Sequence, residues 1–254
     1  MKLNQTEELK KEAGILAASF VKSNTVIGLG TGSTTKYAIE EIARLLKEEK
    51  LKNIVGVSTS LQTEALAQSL NIPLTDFSNI TSIALTIDGA DEVSPSLDMI
   101  KGGGGALLRE KVVARVSEET IYIVDENKLS LRLGMQWKIP VEVVPFAYPL
   151  IQKQILSNFG FESYLRTKPD GSPVFTDQGN YLLDVKSGEI EEVAGLEKQL
   201  NEITGVVENG LFIKLAQKLI VGTSTGVVTC LPRNKLIKSE DSAAKPIESF
   251  SLIQ

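Results

Sequence analysis

The chain has 254 residues, which fits one to two domains at roughly 150 residues each. Its 42% apolar and 23% charged residues are ordinary for a globular protein and exclude a fibre or a mostly disordered chain. Lysine and arginine number 27 against 32 acids, and the net charge of −5 disfavours broad binding to nucleic acid or to an anionic membrane.

In chain order, helical spacing runs through residues 6–22, where Leu9, Ala13, Leu16, Ala17, Phe20 and Val21 make one apolar stripe. TVIGLG reads as a strand, KYAIEEIARLLKEE as a helix, NIVGVS as a buried strand and LQTEALAQSL as a helix closed by Asn71 and Pro73. ITSIALTID is a strand, GGALLREKVVARVSEE a helix and TIYIVDE a strand. Apolar strands with little alternation, separated by helices, predict a Rossmann-like α/β domain built on a parallel sheet covered on both faces.

Near residue 132 the pattern changes. KIPVEVVPF, AYPLIQKQILSNFG, FESYLRT, YLLDV, EEVAGLEKQLNEI and GVVEN read as β-α-β-β-α-β, the order of a ferredoxin-like α+β domain. LFIKLAQKLIVGTSTGVVTCL adds short strands that can return to the first sheet. The expected division is residues 1–131 plus 206–231 for the Rossmann-like domain and 132–205 for the inserted smaller one. Residues 232–254 are expected to form a poorly ordered polar extension.

With no histidine anywhere, Ser-His-Asp and Cys-His catalysis, histidine bases and histidine metal sites are excluded. The single cysteine, Cys230, permits no internal disulfide and sits in the apolar run VVTCLP, where it reads as a small buried hydrophobe. No stretch approaches the ~18 apolar residues of a membrane span. The N-terminal segment lacks a signal peptide's apolar core, so a cytoplasmic location is expected.

Three segments carry chemistry. GLGTGSTT, residues 28–35, joins a strand to a helix; its glycines let the backbone approach a ligand, and the helix N-terminus offers free N–H groups to a phosphate. It lacks the Gly-Lys-Ser/Thr of a Walker loop, and Gly32 comes one residue early for the dinucleotide fingerprint, so a phosphate monoester is favoured over NAD. DGAD, residues 88–91, ends a strand where open α/β sheets bind ligands. Asp88 and Asp91 either face a small polar ligand or serve as turn and capping residues. KGGGGALLREK, residues 101–111, sets Lys101 before a glycine run that opens a helix, a second nest of N–H donors. Glu110 has Ala106, Leu107, Val113 and Ala114 as its helical neighbours, which would desolvate it and raise its pKa. Pairing with Arg109, Lys111 or Arg115 on a wet face is the competing reading. Together these segments suit a small phosphorylated, hydroxylated molecule and proton transfer beside a carbonyl.

TGST at 31–34, DGADE at 88–92 and KGGGGALLREK at 101–111 resemble the ribose-5-phosphate isomerase A family, as do PVEVVPF at 140–146 and GVVENGLF at 205–212. The resemblance spans about Leu9 to Thr229. It implies cofactor-independent interconversion of D-ribose 5-phosphate and D-ribulose 5-phosphate, an aldose–ketose isomerisation of the non-oxidative pentose phosphate pathway. Carried over, Glu110 is the base that moves a proton between C2 and C1 through a cis-enediolate. Asp88 assists ring opening, and Asp91, with Gly89 and Ala90 beside it, binds sugar hydroxyls. Lys101 and the amides of Gly102, Gly103 and Gly104 stabilise the enediolate oxygens. Thr31, Gly32, Ser33 and Thr34 hold the phosphate, Lys128 binds substrate and Lys10 makes a further phosphate contact. No metal, nucleic acid or membrane is implied. The partner is a second copy, as a homodimer or dimer of dimers joined with help from the smaller domain. Amino-sugar-phosphate deaminases, CoA transferases and phosphosugar-sensing domains share related folds. The missing histidine, the absence of any sign of a CoA groove and the absence of a DNA-binding module, respectively, count against them.

Overall fold

A computed structural model describes residues 2–223, 226–230 and 244–245. The chain runs α1 (Lys2–Ala18), β1 (Val26–Leu29), α2 (Ser33–Lys47), β2 (Val55–Ser58), α3 (Leu61–Ser69) and β3 (Ile83–Gly89). It continues through β4 (Glu92–Val93), β5 (Met99–Ile100), α4 (Leu107–Arg115) and β6 (Ser117–Asp125). β7 (Ile139–Val143), α5 (Tyr148–Phe159), β8 (Glu162–Leu165), β9 (Tyr181–Lys186), α6 (Val193–Asn201) and β10 (Val206–Asn209) follow. The last elements are β11 (Leu211–Phe212), β12 (Lys218–Thr223), β13 (Gly226–Cys230) and β14 (Ala244–Lys245).

The larger sheet has the order β14-β13-β12-β6-β3-β1-β2. From β12 to β2 every pairing is parallel, while β13 runs antiparallel to β12. Strands buried on both faces need apolar residues throughout, which is why VIGL, IALTI and IYIV read as unbroken runs. One core gathers Ala13 and Ala17 of α1, Ile39 and Ile42 of α2, and Ile27, Ile87, Ile121 and Ile220 of the sheet. After β1 the chain crosses to β2 on one side, then returns to place β3 on the other. That reversal of strand order is a topological switch point, where the loops at the carboxyl ends of neighbouring strands part and leave a crevice.

The smaller sheet has the order β10-β7-β9-β8, all antiparallel, with α5 and α6 on it. This is the β-α-β-β-α-β arrangement read from the sequence. β10 belongs here: Val206 pairs with Val143 and Asn209 with Val141, so the chain leaves this sheet after Asn209 and not at 205. A third sheet, β11-β5-β4, has no counterpart in the sequence reading, because strands of two residues are too short for periodicity to register.

Two helices differ in extent from the sequence expectation. α1 ends at Ala18, not 22, and Val21 completes the core from the turn that leads into β1. α4 covers Leu107–Arg115, not 104–119. At its start Gly105 N–H donates to Gly102 O at 2.9 Å, a tight turn. At its end Ser117 and Glu119 pair with Ile83 and Leu85 of β3, so strand pairing overrides the helical periodicity of VARVSEE. In the tail, Ala244 and Lys245 lie parallel to Thr229 and Cys230, which corrects the expected disorder at those two residues. The rest of 232–254, and the Cys230 side chain, lie outside the described residues.

Glu92 ties the third sheet to the segment entering β7. Fully buried, it accepts from the N–H groups of Gly134 (3.0 Å), Gln136 (3.1 Å) and Trp137 (3.1 Å). Glu92→Ala leaves these amides unpartnered, and the expected cost is about 2–4 kcal/mol, read as a lower midpoint in equilibrium denaturation. A midpoint within error of the parent would show that the loop re-pairs without the carboxylate.

Candidate active site

The switch point brings the segment after β1 against the segment after β3. Asp88, 1% exposed at the end of β3, uses Oδ1 to accept from Thr31 N–H (2.9 Å) and Gly89 N–H (2.8 Å). Its other oxygen, Oδ2, lies 3.1 Å from Lys101 Nζ. Lys101, 2% exposed, also donates to Glu110 Oε1 at 3.0 Å and to the Gly89 carbonyl. Its ammonium stands 5.4 Å from the Phe212 ring centre and 5.5 Å from that of Tyr122. A buried cation is thus bound by two carboxylates, a carbonyl and two aromatic faces.

The titration of these groups follows. Burial pushes the Lys101 pKa down, but Asp88 and Glu110 outweigh it and hold the ammonium well above the usual lysine range. Glu110 is pushed upward, first by burial and then by the Asp88 charge, against the pull of Lys101. The wet-face pairings considered for Glu110 do not occur; it is 5% exposed, and its Oε2 has no hydrogen-bond partner.

A cavity of about 330 Å³ opens over this cluster. Its walls hold Lys101, Gly102, Gly103, Gly104 and Glu110 from the third segment, Gly89, Ala90 and Asp91 from the second, and Thr31, Gly32, Ser33 and Thr34 from the first. Lys10 of α1 and Lys128, in a short 3-10 turn after β6, also line it. Asp88 lies behind the wall, in contact through Lys101.

Gly32 caps α2 without a side chain, so the amides of the first turn face the cavity end uncapped. Thr31 does not offer its hydroxyl there. Its Oγ1 sits 2.8 Å from both Thr59 Oγ1 and Ser60 Oγ and 3.2 Å from Thr63 Oγ1, a hydroxyl cluster that fixes the loop to the start of α3. Thr35 lines the cavity with a buried, unpartnered Oγ1. It is missing from the residues assigned to the phosphate, although GLGTGSTT contains it.

Asp91 Oδ2 accepts from Gly103 N–H at 2.7 Å. A Cβ on Gly103 would meet the Asp91 carboxylate at 2.7–3.0 Å, so only glycine allows this approach. Gly102, with φ 97°, needs the left-handed region as well. Lys128 Nζ stands 4.6 Å from the Trp137 ring centre. Lys10 is paired with Glu7 at 3.0 Å. Arg166, from the smaller sheet, reaches the back of the glycine run, a contact with no local signal in FESYLRT. Among the described residues, no group of three or more His, Cys, Asp or Glu could hold a metal ion, and no helix is long and apolar enough to cross a membrane.

Residues 55–226 match the family described as Ribose 5-phosphate isomerase A (phosphoriboisomerase A). A relative from Desulfatibacillum aliphaticivorans, named ribose-5-phosphate isomerase A, is 45% identical over 225 residues, covering 89% of this chain and 97% of its own length. The solved structure of a D-ribose-5-phosphate isomerase in complex with phospho-erythronic acid superposes with a TM-score of 0.86 at 42% identity, covering 89% of this chain and 99% of the other. A ribose 5-phosphate isomerase A from Methanocaldococcus jannaschii gives 0.83 at 41% identity, covering 88% and 98%.

The raised pKa of Glu110 has a consequence for stability. The folded protein holds this proton more tightly than the unfolded chain, so the stabilisation is full below the ordinary value of 4.5 and is lost as pH rises through the raised one. Glu110→Gln never ionises. Its Tm relative to the parent is expected to rise between about pH 5 and about pH 8. A difference in Tm that stays constant across that range would mean that charge burial at Glu110 is not a source of strain.

Proposed function

The chain belongs to the ribose 5-phosphate isomerase A family, and from that membership we propose that its cavity converts D-ribose 5-phosphate to D-ribulose 5-phosphate, reversibly, through a cis-enediolate. The observation that carries the mechanism is the Glu110 carboxylate: one oxygen is fixed by Lys101, and the other is buried and unpartnered in the cavity wall.

The phosphate sits at the N-terminus of α2, on the first-turn amides with Ser33, Thr34 and Thr35, with Lys10 as a nearby positive charge. That end fixes the open-chain sugar so that C1 and C2 reach Glu110. Asp91 and Lys128 take sugar hydroxyls. Glu110 Oε2 removes the proton on C2, and the electron pair moves into the C1–C2 bond and onto the carbonyl oxygen. Lys101 and the glycine amides stabilise the enediolate oxygens. Return of the proton to C1, with the O2 proton passing to O1, gives the ketose. Asp88, sharing Lys101 with Glu110, assists ring opening and movement of the hydroxyl protons. The raised pKa of Glu110 suits a base that must also give its proton back. Phospho-erythronic acid, the ligand named for the related structure, has a phosphate at one end and a carboxylate at the other, the charge pattern this cavity would accept.

We further propose a cytoplasmic homodimer or dimer of dimers. The lone cysteine suits a reducing compartment. The smaller sheet's layer exposes Phe146 (95%), Val144 and Leu150, an apolar face that a second copy would cover. Phe146→Asp is expected to lower the mass seen by light scattering to that of a smaller species, and an unchanged mass would rule out this face.

Glu110→Gln is expected to lower kcat by roughly 10²–10⁴, with binding of the sugar phosphate kept. The check is NMR of D-ribose 5-phosphate in D₂O with EDTA: the parent gives ribulose 5-phosphate carrying deuterium at C1, and the variant does not. Undiminished kcat in the variant would remove Glu110 from the role of base.

A further inference from the structure

The glycine run that faces the cavity is held from behind by the smaller sheet. Arg166 follows β8, and its own N–H donates to Leu182 O of β9 at 2.8 Å, so its backbone is part of that sheet. Its Nη1 donates to both Gly102 O and Gly103 O, each at 3.0 Å. Its Nε donates to Asp184 Oδ2 at 3.0 Å, and its Nη2 donates to Asp184 Oδ1. One planar fork therefore grips a β9 carboxylate on two donors and two consecutive carbonyls of the glycine run on a third nitrogen.

The glycine run is a partition. Gly103 lines the main cavity on one side and, on the other, a hollow of about 360 Å³ that Arg166 and Asp184 also line. No cis peptide bond is present among the described residues, and in a trans peptide the C=O and the following N–H point in opposite directions. Holding the Gly102 and Gly103 carbonyls toward Arg166 therefore sends the N–H groups of Gly103 and Gly104 to the cavity side. The Gly103 N–H meets Asp91 there. The Gly104 N–H is left for the ligand. Gly105 N–H on Gly102 O and Asp91 on Gly103 N–H also hold the first of these peptides; the second, between Gly103 and Gly104, takes its direction from the Arg166 contact on Gly103 O.

We propose that Arg166, oriented by Asp184, is a positioning residue for the isomerisation: it sets the peptide planes of the glycine run so that the Gly104 N–H meets the enediolate oxygen. The inference rests on the isomerase reading above. Because Arg166 lies behind the partition, it touches neither the phosphate end nor the sugar. Its loss should weaken transition-state binding and leave ground-state binding nearly intact.

The test compares Arg166→Met, Arg166→Lys and Asp184→Asn with the parent. In Arg166→Met, kcat is expected to fall about 10- to 100-fold with KM for ribose 5-phosphate within about threefold. Inhibition by phospho-erythronic acid, whose carboxylate oxygens stand in for those of the enediolate, should weaken in proportion to kcat, while inhibition by inorganic phosphate stays unchanged. Arg166→Lys keeps the charge but not the fork and should resemble Met; full recovery in Lys would mean that charge, not peptide orientation, is what matters. Asp184→Asn keeps Arg166 and loosens its aim, so a smaller loss of kcat with the same constancy of KM is expected even if the Arg166 variants fold poorly. Equal loss of affinity for phosphate and for phospho-erythronic acid, or unchanged kcat in all three, overturns the proposal. An inactive parent would instead count against the isomerase reading itself.

Discussion

A buried ammonium group sets the terms for this molecule. Lys101 lies 2% exposed on the segment between β5 and α4, and each ion removed from water costs several kcal/mol before any pairing. The cost is offset only by geometry. Asp88 is fixed by two amides so that its second oxygen meets Nζ, Glu110 is brought in by the first turn of α4, and the Gly89 carbonyl completes the shell. Lys101's own N–H donates to Gly210 O at 2.9 Å, which ties the charge to the segment joining β10 and β11. The loop after β1, the end of β3, the start of α4 and the link between the smaller sheet and the third sheet therefore all converge on one cation.

The same arrangement explains why Glu110 differs from Asp88. Both carboxylates face Lys101, but Asp88 has its remaining oxygen satisfied by N–H groups, and Glu110 has its remaining oxygen bare. Hydrogen bonds to a charged oxygen stabilise the charge; a dry, unpartnered oxygen destabilises it. Glu110, with that bare oxygen, is therefore held above the ordinary carboxylate range. Without histidine, the site still holds a group raised toward the neutral range, by burial and a neighbouring carboxylate.

Much of this was legible in the residues, for specific reasons. The three motifs could be placed because glycine, aspartate and lysine in those orders meet local demands: a helix N-terminus, a turn at a strand end, a close backbone approach. The four apolar residues one helical turn from Glu110 pointed to burial but left pairing on a wet face open, and the structure buries it. The parallel strands showed as unbroken apolar runs, and the smaller domain as a change in element order. What stayed hidden was set by tertiary pairing. Ser117 and Glu119 continue a helical pattern but pair with β3, and β4, β5 and β11 are two residues long. Thr31 reads as a phosphate ligand because it sits in the loop, yet Thr59, Ser60 and Thr63 claim its hydroxyl from 28 to 32 residues away. Arg166 is one basic residue in a strand, and nothing within FESYLRT distinguishes it.

Arg166 joins the smaller sheet to the cavity, and it does not do so alone. α4 is the joint. Glu110 looks into the cavity, and the next residue, Lys111, buries its ammonium 2.8 Å from Glu208 of β10 and 3.5 Å from Glu197 of α6, with Phe212 lying 5.1 Å from it and 5.4 Å from Lys101. Breaking such a buried pair by removing one partner leaves an uncompensated charge that costs about 3–5 kcal/mol. The helix that carries the base is thus clamped from the smaller sheet by Lys111, while the glycine run that faces the base is held from the same sheet by Arg166. Glu110 and the glycine run line one cavity, and in the proposed reaction a misplacement of about 1 Å between them would be enough to lose roughly 10²-fold in rate. In the proposed reaction, fixing both to one antiparallel sheet, outside the parallel sheet whose loops would bind the phosphate, separates holding the substrate from holding the reacting groups in register.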